Sequence, residues 1–185
     1  MGNGNKDFGG GAMRPALLSE GEKGMIPSDH FVRFYNEVFK YLEAHGGLED
    51  YFLAISEQQE FHCLEGFKTK GLQGVYDYYV KIRREENCGL DMVMEPGCLQ
   101  LIMTRCPSLS KTMDNDAGLC LRYCDHCPGW VLPVYTKAGL YIIYDLMGYD
   151  QPQCHSWILD NLEQAKQKLQ EVQKARPTAK LLKNF

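Results

Sequence analysis

A chain of 185 residues, 44% hydrophobic and 24% charged, has ordinary globular composition, and its length favours one domain. A net charge of −4 and a pI near 5.7 leave no basic excess of the kind a nucleic-acid-binding face needs. No apolar run approaches the ~20 residues that span a bilayer, and no apolar signal core follows Met1, so the expectation is a cytoplasmic protein without a membrane partner.

Residues 1–25 are rich in Gly and polar residues, without periodicity, and read as a flexible N-terminal arm. Gly2 is not followed by the Ser/Thr pattern of a myristoylation signal. A single domain is expected over 26–176. Its first helix starts at Ser28-Asp29, carries Phe31, Phe34, Tyr35, Val38, Tyr41 and Leu42 at helical spacing, and ends at Gly46-Gly47. A second helix runs from Leu48 to about Phe67, with Phe52, Ile55, Gln59 and His62 or Cys63 near one face. A third spans about Leu72 to Glu86, with Val75, Tyr79 and Ile82 inward.

Beyond Gly89 the pattern changes. Leu90–Met94 and Cys98–Thr104 read as strands joined by the turn Glu95-Pro96-Gly97. Pro107 opens a short helix, and Asp114-Asn115-Asp116 is loop. A helix from Pro128 to Lys137 is expected, with Pro133 as a kink or interruption. Leu140–Met147 is β-branched and aromatic and reads as a strand, as does Gln153–Ile158. A polar helix over 160–175 precedes a basic C-terminal tail, 177–185. The fold class is therefore α+β: N-terminal helices followed by a mixed, mainly antiparallel sheet with helices on one face.

Eight cysteines, at 63, 88, 98, 106, 120, 124, 127 and 154, set the functional question. With no export signal a disulfide framework is not expected, which leaves metal binding, catalysis or burial. Cys120, Cys124 and Cys127 are spaced four and three apart, and on a helix they would share one face. Such a triad suits zinc or an iron–sulfur cluster, with His126, Cys106, Cys154 or His155 as a fourth ligand. A radical S-adenosylmethionine enzyme is excluded because too little chain follows Cys127 to build its barrel. A thioredoxin-like site fits poorly after three helices.

Arg105-Cys106-Pro107 places a thiol beside an Arg at a strand-to-helix junction, where thiolate is favoured. Cys106 is thus a candidate nucleophile, with Cys154 its alternative or partner. His126 or His155 would move the proton, and Asp125 would act as base or orienter. Arg105, Trp130 and His62 are candidate ligand contacts.

The order of a strand ending in Arg105-Cys106-Pro107, a helix, Leu119-Cys120, a strand, a turn and Cys154 resembles the L-2-amino-thiazoline-4-carboxylic acid hydrolase-like family. The resemblance covers about residues 90–158. It implies a small α+β domain with ring-opening hydrolase activity, and by position it carries over Cys106, Cys120 and Cys154. This chain departs from the family in its extra thiols, in the run Cys120-Leu-Arg-Tyr-Cys124-Asp125-His126-Cys127, where Asp125 would stand in for the family's acidic residue. The expected function is a hydrolase-like protein acting on a small amide, amidine or thiazoline-type molecule. The alternatives are a non-catalytic small-ligand sensor and a zinc or iron–sulfur protein.

Overall fold

The computed structural model describes residues 29–148 and 150–185. The expected arm, 1–25, lies outside the described residues. Six helices and five strands follow in the order α1 (Asp29–His45), α2 (Leu48–Lys70), α3 (Leu72–Glu85), β1 (Gly89–Glu95), β2 (Cys98–Arg105), α4 (Pro107–Met113), α5 (His126–Ala138), β3 (Tyr141–Asp145), β4 (Cys154–Leu159), α6 (Leu162–Ala175) and β5 (Leu181–Lys183). No helix among the described residues is long and apolar enough to cross a membrane.

The strands form one sheet in the order β1-β2-β4-β3-β5, with every pairing antiparallel. Alternation along the strands divides the side chains between two faces. Leu99, Leu101, Ile142, Tyr144 and Ile158 meet α2, α3 and α5 in the main core, with Phe67, Val75, Val134 and Tyr135. Cys98, Ile143, Trp157 and Leu159 point the other way and meet Ala165 and Val172 of α6. The α+β class and the helices on the first face match the sequence reading, and α6 in addition covers the second face.

Three expectations need correction. The buried stripe of α1 is Val32, Asn36 and Phe39, whereas Phe31, Phe34, Tyr35 and Tyr41 are exposed. The reason is polar: the Asn36 amide donates to the Gly118 carbonyl at 2.9 Å and accepts from the Cys120 N–H at 2.8 Å, which turns that face toward the loop before α5. Pro133 does not interrupt α5, which continues to Gly139 in the left-handed region at φ 73°. Packing on α2 supports it: a Cβ on Gly129 would lie 2.7 Å from the Phe52 ring, and the Ser56 hydroxyl donates to the Trp130 carbonyl at 2.7 Å. Finally, part of the basic tail is a strand, β5, held against β3 through residues 181–183 and by Asn184, whose side-chain oxygen accepts from the Ile142 N–H.

Candidate active site

Four chain segments bring thiols to one place. Cys106 is the N-cap of α4, and its sulfur accepts from the Leu109 N–H at 3.4 Å. Its own N–H donates to the Pro152 carbonyl at 2.7 Å, which ties the end of β2 to the segment leading into β4. Cys124 lies in a 3₁₀ turn, Tyr123–Asp125, and Cys127 in the first turn of α5. Cys154 opens β4. Together with Tyr123, His126 and Tyr144 they line a cavity of about 30 Å³, with Gln153 at its exposed edge. That volume holds one or two waters.

Within the cavity the closest reactive pair is Cys127 and His126, with Sγ 3.2 Å from Nε2. The other ring nitrogen, Nδ1, is in very short contact with the Tyr123 carbonyl. A carbonyl only accepts, so Nδ1 carries the proton and Nε2 presents its lone pair to the thiol. Phe39, Tyr123 and Trp130 surround the imidazole, at ring-centroid distances of 5.6, 5.0 and 4.8 Å. Burial holds His126 neutral, lowering its pKa to about 4. On the far side of the cavity the Tyr144 hydroxyl lies 3.4 Å from Cys154 Sγ and also hydrogen-bonds Cys127.

Burial likewise keeps the thiols protonated. It pushes Cys106 up to about 11, and Cys127 and Cys154 up to about 12; Cys124 is raised further. The Leu109 and Ser108 N–H groups at the start of α4 pull Cys106 back only in part. A resting thiolate–imidazolium pair is therefore disfavoured. The site suits proton transfer coupled to bond formation.

The remaining sequence candidates fall elsewhere. Cys120, Cys124 and Cys127 do not share a helical face: Cys120 precedes the helical turns, and its thiol donates to Glu43 Oε2 at 3.6 Å. Among the described residues no group of three or more His, Cys, Asp and Glu is placed to hold a metal ion. Arg105 is exposed and is not among the groups that act on the Cys106 thiol, because the strand's end turns it outward. Asp125 faces Arg122 at 2.9 Å and Lys180 at 3.1 Å rather than the cavity. His62 is exposed on α2, where its neighbour Cys63 takes the inward position. Trp130 packs edge-on against His126 behind the cavity. His155 points to the opposite sheet face from Cys154, as alternation requires, and packs against Trp157 with ring centroids 3.8 Å apart.

Sequence reasoning missed Tyr144 and Gln153. Tyr144 reads as an ordinary strand aromatic, and only the register Tyr144↔Ser156 shows that its ring comes alongside the start of β4. Compared with protein-family models, with curated proteins and with solved structures, the chain finds no match.

Proposed function

We propose that the thiol-lined cavity is a hydrolytic site that admits the reacting C=O or C=N group of a small, uncharged amide, amidine or thiazoline-type molecule, the rest of which lies outside at the exposed Gln153 edge, with Cys127 as nucleophile and His126 as base. The observation that carries this reading is the 3.2 Å contact between Cys127 Sγ and an imidazole nitrogen whose lone pair is fixed by the Tyr123 carbonyl. The sequence alone favours Cys106 as the nucleophile; the geometry favours Cys127, because among the described residues a histidine hydrogen-bonds Cys127 and none hydrogen-bonds Cys106.

In the proposed reaction, Cys127 gives its proton to His126 Nε2 as its sulfur bonds to the electrophilic carbon of the C=O or C=N group. The C–N bond then breaks, and the imidazolium returns the proton to the departing nitrogen. Water, deprotonated by the same Nε2, attacks the thioester or thioimidate carbon and restores the thiol. An uncharged substrate is favoured because the surroundings disfavour every charge they hold, as the displaced thiol and imidazole pKa values indicate.

A turnover screen with thiazoline and carbamoyl compounds tests the reading. Hydrolysis lost by at least ~10³-fold in both Cys127→Ala and His126→Gln, with Cys120→Ser unaffected, is the expected result. Hydrolysis that survives Cys127→Ala overturns the assignment. Saturable binding of those compounds with no turnover favours instead a ligand-sensing pocket.

A further inference from the structure

The α6 face of the sheet holds a second, larger cavity of about 240 Å³. Only Gln153 and Cys154 border both cavities. Its floor is a row of register partners, Ile102 on β2, His155 on β4 and Asp145 on β3. Its walls are apolar and include Met103, Trp157 and Val172, with Arg176 at the end of α6.

The polar groups in this cavity are unusual in their partners. Asp145 is 1% exposed, and its Oδ1 accepts from the Met147 N–H at 3.0 Å. Its Oδ2 lies 2.8 Å from Arg176 Nη1, an ion pair by distance, yet that N–H is directed at the Met147 sulfur instead. Asp145 Oδ2 therefore holds its ion pair with Arg176 without an aligned hydrogen bond, and His155 Nε2 is buried without a hydrogen-bond partner among the described residues. A buried ring nitrogen without a donor, beside a carboxylate oxygen with a single partner, marks a place where a ligand's N–H groups fit. Contact with the Trp157 ring, tilted at 34° with the centroids 3.8 Å apart, holds the imidazole.

Charge narrows the ligand class. Asp145 and Arg176 cancel, so the cavity selects neither a net anion nor a net cation. It offers a contacting pair of opposite charges, a buried carboxylate and, 2.8 Å from it, a guanidinium 35% exposed toward solvent. We propose that this cavity binds a small zwitterion, an α-amino acid with an apolar side chain. The ammonium group donates to Asp145 Oδ2 and His155 Nε2, the carboxylate meets the outer N–H groups of Arg176, and the side chain lies against Met103, Trp157 and Val172. The site is independent of the thiol reading, because none of the proposed catalytic atoms faces it.

Isothermal titration of the whole chain with L-leucine, L-methionine and L-phenylalanine tests the proposal, with isoamylamine and isovalerate as single-charge controls. The expected result is saturable binding of at least one amino acid, weakened tenfold or more for both controls and in Arg176→Gln and His155→Phe. Val172→Trp, which fills the cavity, should abolish binding in a protein whose circular dichroism is unchanged. Cys127→Ser should bind as the parent does. If no amino acid binds at millimolar concentration, or if binding survives both Arg176→Gln and Val172→Trp, the proposal is overturned. Loss of binding in Cys127→Ser would place the ligand in the thiol cavity and overturn it equally.

Discussion

His126 Nε2 stands 3.2 Å from Cys127 Sγ, on the residue immediately before it in the chain. Neighbouring residues on a helix normally diverge by about 100°, so the contact depends on the first turn of α5 and on the Tyr123 carbonyl that holds Nδ1. His126→Gln should therefore slow alkylation of Cys127 by a small neutral reagent about tenfold or more at pH 8, with the other thiols unchanged. Peptide mapping after timed exposure to acrylamide reads this directly. Equal rates in parent and variant would remove the imidazole as the base.

The same histidine makes stability depend on pH. Burial lowers its pKa from 6.5 to about 4, so the unfolded chain takes up the proton first as the pH falls. The stabilisation is fully present above about pH 6.5 and is lost progressively down to about pH 4. A shift of that size corresponds to at most about 3 kcal/mol. Urea unfolding at pH 7 and pH 4.5 should show the loss, and His126→Phe, which keeps the aromatic packing, should flatten it. Burial lowers His155 as well, so a residual slope of the same sign is expected in the variant.

Much of the fold is legible in the sequence, because periodicity and turn residues are local signals. Gly46-Gly47 end α1, and Pro96-Gly97 turn β1 into β2, where they are expected. The site is less legible, because it depends on registers and loops. Strand alternation separates Cys154 from His155, and that much follows from sequence. The placing of Cys120 against Glu43 rather than beside Cys124 does not, since it depends on a buried Asn36 that hydrogen-bonds a loop more than eighty residues away. β5 is hidden for a similar reason: Leu181–Lys183 is short, and its partner β3 is distant in sequence.

Asn36 is a test of that long-range tie. It is 0% exposed and joins α1 to both Gly118 and Cys120. Asn36→Leu fits the volume but leaves the buried Cys120 N–H without its partner, at a cost of about 1–3 kcal/mol, while the carbonyl of exposed Gly118 turns to solvent. The expected outcome is a lower urea midpoint together with faster alkylation of Cys120, measured on the folded protein. An unchanged midpoint would mean that the loop is held by its other contacts.

Gly129 tests the approach of α5 to α2. A Cβ there would sit 2.7–2.9 Å from three atoms of Phe52, in a core with no space to yield. Gly129→Ala should destabilise by about 1–3 kcal/mol, the usual cost of overpacking, despite the gain in helix propensity. Phe52→Leu in the same chain should recover part of the loss. Denaturant curves for the two single variants and the double variant give the coupling, and simple additivity would show that the two residues do not clash.

Tyr144 supplies the prediction most specific to the cavity. Its hydroxyl hydrogen-bonds Cys127 and lies 3.4 Å from Cys154 Sγ, and in both thiols this contact opposes the rise caused by burial. Tyr144→Phe removes the hydroxyl and keeps the ring, so packing in the main core is retained. Both thiols should then become harder to ionise. A hydrogen bond worth about 0.5–1.5 kcal/mol implies a reaction with a neutral alkylating reagent slower by about twofold to twelvefold at fixed pH. The rate-versus-pH curve should move to higher pH for Cys127 and Cys154 and stay in place for Cys120, which lies in a different cluster beside Glu43. If Tyr144→Phe instead speeds labelling of Cys127, the hydroxyl acts as a plug that limits access, and its part in holding the thiol proton is refuted. Substrate turnover separates these outcomes further: loss of a stabilising donor lowers kcat, whereas loss of a plug lowers KM.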